Sequence, residues 1–459
     1  MLSRGPVAIV AAYLLIKSPA TWAQPCQPFW NPTVGSPGIG SGYVGPMIGW
    51  DDGSGARLFA GGSYTSIGGT TARYLAAWDP ASNAWSALGR GIAAENTTFI
   101  AAMIPFDPGG GEQLVVGGAF GSAGGVAGTK SLGMWDGQRW SALGSQLLRN
   151  SADSVWSLAV WNATLYAGGK FADIGGVTAN SIAAWDGVGW SALGSGVFGG
   201  FSPFVTSLIV FDDGSGEALY AGGRFDGIGG VSTRNLARWD GTSWSRVGGG
   251  LSPTSSLFGV EAMTVFDDGT GPALYVAAHS FFPAGQPATN VAKWDGQSWT
   301  SVGQEIGTGR LTSIAVFDDG TGPALHVGGT AMPGINYIAR LDNGVWVTLD
   351  GGVGGAAVPP SNWPSVFGLA VWDNALFVGG NFTEAGAGRQ AAGIVARISC
   401  LRSCYPDCNP NGVLDIFDFL CFQNSFVAGE PYACDCDPDP ACNIFDFLCF
   451  QDAFVAGCP

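Results

Sequence analysis

One phrase returns along most of this chain. "LYAGGKFADIGGVTANSIAAWDGVGWSALGSG" (165–196) and "LYAGGRFDGIGGVSTRNLARWDGTSWSRVGGG" (219–250) are its clearest copies, and weaker ones begin at Leu58, Leu114, Leu274, Leu325 and Leu376. Trp-Asp pairs mark the register at Trp78, Trp135, Trp185, Trp239 and Trp294, with Leu341-Asp342 in the sixth place and Ile398 in the seventh; the intervals run from 47 to 57 residues. A repeat of this length is one supersecondary unit that cannot bury its apolar face alone, so the units must stack on one another.

Each unit parses into four short strands: an apolar strand such as "SLIVFDD", then "LYAGG", "xIAxW" and "WSALG". The joins "DDGSG" and "DDGTG" supply the Asp and Gly that a tight reversal demands, and they shorten to "WNAT" and "WDNA" in the third and seventh units. Four strands per unit at this period predict a β-propeller, with seven blades for seven beginnings. The composition agrees with an all-β body: 75 Gly and 18 Trp, 46% apolar residues and only 12% charged. Six endings are complete, whereas the last unit stops at "IVARISC" without a closing Trp strand. The missing piece stands near the start as "CQPFWNPTVG", which predicts that the N-terminal segment completes the seventh blade and that Cys26 meets Cys400 in a disulfide at the seam.

The "GG" after the second strand resembles kelch repeats. The fuller phrase "GGxFxxxGGVxxxxIAxWDGxxWSALGxG" is more similar to repeats of fungal cortical cell-polarity markers and of many secreted bacterial proteins. This resemblance covers residues 45–400 and implies a propeller without implying an activity.

Residues 1–23 read as a secretory signal: Arg4, the short apolar run "VAIVAAYLLI" and a small residue before Gln24. The run is too short to span a bilayer comfortably, so a soluble protein outside the cytoplasm is expected. Cysteines agree. Cys26 stands near the mature start, none follows until Cys400, and eight more lie between Cys404 and Cys458; an even total in an exported chain reads as disulfides. The change near residue 400 divides a propeller (24–400) from a small C-terminal domain (401–459). The net charge of −16 lacks the basic stripes that nucleic acid requires. Half of that charge sits after residue 400, where eight Asp and Glu430 face Arg402 alone.

In that tail, Asp407, Asn409, Asn411, Asp415 and Asp418 fall at positions 1, 3, 5, 9 and 12 of a twelve-residue loop, with Gly412 at position 6 and the Val413 carbonyl at position 7. Calcium takes six to eight hard oxygen ligands around a sharply turning backbone, and this spacing supplies them. A second loop sets Asp435, Asp437, Asp439, Asn443 and Asp446 at the same positions, with the Ala441 carbonyl at position 7, but Pro440 replaces the glycine. Pro cannot adopt the positive φ that Gly permits there. Near-identical apolar segments, Ile416–Gly429 and Ile444–Gly457, follow the two loops. Two ions are expected, offsetting the mutual repulsion of the tail's carboxylates.

The tail resembles the dockerin domain, in the cysteine-bearing form found on exported planctomycete-like bacterial proteins. The resemblance covers 404–459 and implies an EF-hand-like helical module whose calcium loops order helices that plug into a cohesin-like or cell-surface scaffold protein.

The propeller offers weak signals for catalysis. His279 and His326 are the only histidines and stand far apart in sequence; Asp186, Asp240 and Asp295 in "WDGxxW" read as turn-capping residues, and Glu261 and Glu384 show no carboxylate partner. The reading is an exported binding or scaffolding propeller, with a carbohydrate or protein ligand, anchored by its calcium-dependent tail. The alternative is a glycoside hydrolase carried by the same tail, which needs two carboxylates at a defined separation. The repeated Trp residues read as inter-sheet core in preference to sugar platforms.

Overall fold

The computed structural model describes residues 27–401, apart from short loop stretches of which 356–362 is the longest. The signal at 1–23, Cys26 and the tail from residue 402 lie outside the described residues, and with them every calcium ligand expected from Asp407 to Asp446. Among the described residues the chain is all-β, with no α-helix and one 3-10 turn at Pro333–Ile335.

Each unit folds into an antiparallel sheet in chain order. In the third, Ser154–Trp161, Thr164–Lys170, Ile182–Trp185 and Trp190–Ala192 lie side by side. Seven sheets of four or more strands are traced among the described residues. The first strands of the other six are Val44–Asp51, Phe99–Phe106, Phe204–Asp212, Val260–Asp267, Arg310–Asp318 and Val366–Trp372. Each of these first strands packs against the first strand of the next sheet, and Val366–Trp372 returns to Val44–Asp51, so the array closes into a ring. The seven Leu residues that begin the repeated phrase, from Leu58 to Leu376, are all fully buried in the second strands.

The Gly pair of each repeat has a packing reason. A Cβ on the first Gly would meet a β-branched residue of the following sheet: Gly61 faces Ile100, Gly117 faces Val155, Gly168 faces Val205, Gly222 faces Val260, Gly328 faces Val366 and Gly379 faces Val44. A Cβ on the second would strike the backbone carbonyl of the adjoining first strand, as at Gly169 against Ser154. The glycines therefore let neighbouring sheets approach closely. The fifth sheet departs from the rule with Ala277, and the residue it packs with across the joint is Leu311, which is unbranched at Cβ. Here the second strand carries a methyl and the residue across the joint has no branch at Cβ.

A second tie runs round the ring. The indole N–H of the fourth-strand Trp donates to a backbone carbonyl that follows the preceding sheet: Trp140 to Leu88 at 3.2 Å, Trp190 to Leu143 at 3.4 Å, Trp244 to Leu193 at 3.0 Å and Trp346 to Val302 at 3.3 Å. The fifth-sheet Trp299 finds no acceptor among the described residues. Within a sheet this Trp faces its third-strand counterpart, with Trp185 and Trp190 ring centroids 5.5 Å apart. These rings lie in the core between sheets.

In the seventh sheet the outer strand is Gln27–Asn31, paired antiparallel with Val395–Leu401, Trp30 opposite Ile398 and Gln27 opposite Leu401. Trp30 is buried and donates to the Asp350 carbonyl at 2.9 Å, and Val34 accepts from Trp85 of the first sheet. Both tryptophans thus continue the same tie across the joint. Pro28 lies opposite Cys400, two residues along from Cys26.

Candidate functional site

The Asp-rich turns between first and second strands use their own carboxylates. Asp212 Oδ1 accepts from the Gly214 and Gly216 amides, each at 2.9 Å, while Asp213 accepts from the Ser215 hydroxyl and from Tyr220 OH at 2.6 Å. Burial works against the charge on Asp213, yet these hydrogen bonds and Arg238 outweigh it and hold the carboxyl below its usual range. Equivalent second aspartates pair with Arg57, Lys293 and Arg340. The "WDGxxW" aspartates behave similarly: Asp186 accepts from Val188 and Gly189, Asp240 from Thr242 and Ser243, and Asp295 from Gln297 and Ser298. Each is a side-chain-capped turn, and those bonds lower its pKa. Among the described residues no group of three or more His, Cys, Asp or Glu is placed to hold a metal ion, and no helix is long and apolar enough to cross a membrane.

His326 is fully buried, its Nδ1–H donating to the Ala324 carbonyl at 3.0 Å and its ring edge-on to Phe317. Burial pushes its pKa down to about 4. It is a core residue. Glu384 lies in the short strand Glu384–Ala385. His279 and Glu261, by contrast, meet at one end of the ring.

That end is built by a recurrent irregularity. In every first strand the pairing register slips just after the buried apolar residue that faces the neighbouring sheet, as between Val155 and Ser157, Val205 and Ser207, Val260 and Ala262, Leu311 and Ser313, and Val366 and Gly368. The extra residue is Trp156, Thr206, Glu261, Thr312 or Phe367 respectively, and all five are partly exposed. A bulge re-aims one side chain and is over-represented at barrel rims and beside functional sites. The Thr206 hydroxyl donates to the Val260 carbonyl and that of Thr312 to Val366 at 2.6 Å, tying each bulge to the next sheet.

Aromatic rings follow one another along this mouth. Phe99 and Trp156 have centroids 5.3 Å apart, Trp156 and Phe204 5.8 Å, and Tyr43 and Phe367 4.6 Å. Burial raises the Tyr43 phenol to about 12, leaving it a neutral hydroxyl. Trp363, at the same end of the seventh sheet, is 68% exposed. The arc passes into charge where the Arg224 guanidinium lies over the Phe204 ring, 4.7 Å from its centroid. Arg310 forms a 2.6 Å ion pair with Glu261, and its side chain remains 42% exposed against 12% for the carboxylate. Burial raises the Glu261 pKa, opposed by Arg310, Arg224 and His279. The residue after the Gly or Ala pair is Lys170, Arg224 and His279 in three consecutive sheets. A small pocket beside them is lined by Gly259, Val260, Ala278, His279, Ser280 and Phe281.

The mouth thus combines an aromatic arc with Lys170, Arg224 and His279 from second strands and the Arg310–Glu261 ion pair from first strands. Sequence reading missed it because Trp156, Phe204 and Phe367 sit inside runs that read simply as apolar strand. The available signal is the broken alternation after Val155, Val205 and Val366.

No family model matches the chain, and no curated protein matches it. Among solved structures it is similar to Raptor from Chaetomium thermophilum (13% identity, TM-score 0.42, covering 81% of this chain and 29% of that one). It is also similar to the WD40 β-propeller domain of Doa1 (11%, 0.38, 80% and 98%) and to a chain of the mitotic checkpoint complex (14%, 0.41, 86% and 99%).

Proposed function

We propose that this is an exported, non-catalytic binding protein. Its seven sheets are the blades of one propeller closed by the N-terminal strand. Its bulged mouth is the ligand face, and the acidic tail is a calcium-dependent dockerin-like anchor to a cohesin-like or cell-surface scaffold. The observation that carries the binding reading is the mouth, where aromatic rings and guanidinium groups, residue types enriched in interface hot spots, are concentrated beside bulges that Thr206 and Thr312 tie to the next sheet. The anchor rests on the spacing of oxygen ligands in the two tail loops. The groups that oppose the rise in the Glu261 pKa are Arg310, Arg224 and His279, which gives the hydrolase alternative no support of its own.

Calorimetric titration of calcium into the full chain, first stripped by chelator, tests the anchor. The expected result is two ions bound, with Asp407→Ala removing the first and Asp435→Ala the second. No heat of binding in the parent chain overturns the calcium-dependent anchor and leaves the mouth to be judged separately.

A further inference from the structure

Resting on the reading of the mouth as a binding surface, we infer that it takes an uncharged polysaccharide, whose sugar rings lie against the aromatic arc. Five sheets present a ring at this end: Tyr43, Phe99, Trp156, Phe204 and Phe367, all partly exposed. The first strands of the fifth and sixth sheets present the Glu261–Arg310 pair instead. The Trp156 indole N–H is already taken by the Ser154 hydroxyl at 2.7 Å, so this side chain offers a ligand its face and edge, not a donor. An aromatic face carries partial negative charge, which suits the C–H-covered face of a sugar ring.

Charge at this end balances. Lys170, Arg224 and Arg310 stand among Asp153, Glu261 and Glu305, so these groups leave no surplus of either sign to match a charged ligand. An anion would also have to share Arg310 with the Glu261 carboxylate already seated on it at 2.6 Å. A sugar hydroxyl donates and accepts at once, so it can join an ion pair that sets donor beside acceptor without separating the two. A peptide partner would want a pocket for an anchoring side chain or a free strand edge. The pocket beside His279 has room for no more than a water molecule, and the bulged strands are tied to the next sheet through Thr206 and Thr312. A nucleic acid strand would stack on the rings, but it needs a basic groove as well. A shallow row of rings, repeated sheet after sheet, fits a ligand that is itself a neutral repeat.

The test is calorimetric titration of the full chain with barley β-glucan, galactomannan and dextran, with polygalacturonate and a neutral glycine–serine–tryptophan peptide as the other arms. At least one neutral polysaccharide is expected to bind more tightly than either, with an affinity that barely changes as salt rises. Trp156→Ala and Phe99→Ala should each weaken it about tenfold. Trp156→Phe, which keeps a ring, should retain most of the binding, a rescue that general loss of structure does not allow. Val188→Ser, at an exposed turn of the third sheet, and calcium chelation should leave it unchanged. No binding of the three neutral polysaccharides overturns the inference, and so does tightest binding of polygalacturonate with a steep salt dependence. Tighter binding of the peptide, weakened by Trp156→Ala, overturns it while keeping the mouth as the ligand face. Polysaccharide binding indifferent to Trp156→Ala and Phe99→Ala removes the mouth as that face and overturns both readings.

Discussion

Gly379 and Val44 stand at opposite ends of the described chain, yet a methyl group on Gly379 would lie 2.9 Å from Val44 Cγ1. The last sheet therefore meets the first by the same glycine-to-valine contact that joins Gly168 to Val205, where the corresponding distance is 2.6 Å. Six of the seven joints repeat this contact of a glycine with a β-branched residue, and each of the six is intolerant of added volume.

Gly168→Ala and Gly379→Ala should each destabilise the fold by about 1–3 kcal/mol through overpacking. The joint between Ala277 and Leu311 provides the internal control. Leu311→Val places a branched Cβ against the existing methyl and should cost stability, and Ala277→Gly in the same chain should restore part of it. A double-mutant cycle in urea checks this, and additivity of the two changes would contradict the proposed contact.

Trp30 is buried, fills the seam and makes the tie to Asp350. Trp30→Ala should cost about 3–5 kcal/mol. Trp30→Phe, which keeps most of the volume but loses the N–H, should cost nearer 1 kcal/mol. Thermal unfolding of the two variants beside Trp299→Phe separates the hydrogen bond from the ring, since Trp299 makes no such bond among the described residues.

Acid should weaken the sixth sheet through His326. Its folded pKa is pushed down to about 4 from an unfolded value near 6.5. Between those values the unfolded chain takes up a proton that the folded chain refuses. Stability therefore falls as pH drops from 6.5 toward 4, and above 6.5 the contribution is constant. The full effect is about 3 kcal/mol. Urea unfolding of the parent and of His326→Gln across this range should show a steeper loss in the parent.

Cys26 and Cys400 are expected to be joined. A bridge closing a loop of this length constrains the unfolded chain by about 4–5 kcal/mol in the entropic model. Mass spectrometry of an unreduced digest should find the two cysteines in one linked peptide, and Cys26 linked to a tail cysteine would exclude the seam bridge.

The repeat made the strand content legible because the positions of Leu165, Gly168, Trp185 and Trp190 have the same physical duty in most sheets, so their spacing survives divergence. What it hid falls into two kinds. The phrase "FADIGGVT" contains a further hairpin, Asp173–Ile174 with Val177–Thr178, which turns on Gly175 and Gly176 at φ 58° and 83°; two residues per strand are too few to carry a period. The fifth sheet was blurred because its second strand runs on to Pro283 and pairs with Leu251–Pro253, in place of the usual glycine-rich phrase. The mouth was opaque for another reason. Trp156 and Arg224 are separated widely in sequence and share only Phe204 as a neighbour, a relationship between adjoining sheets and not a property of any one unit.

The pairing of Gln27 with Leu401 falls at the turn end of the seventh sheet, where Trp372 meets Ala375, whereas its bulge and the aromatic arc lie at the other end, beside Gly380. Chain leading into the ring and chain leading out of it thus depart from the same side. A tether at either terminus would hold the molecule like a lamp on its stand, its rings and guanidinium groups turned away from the support and toward whatever passes in solution.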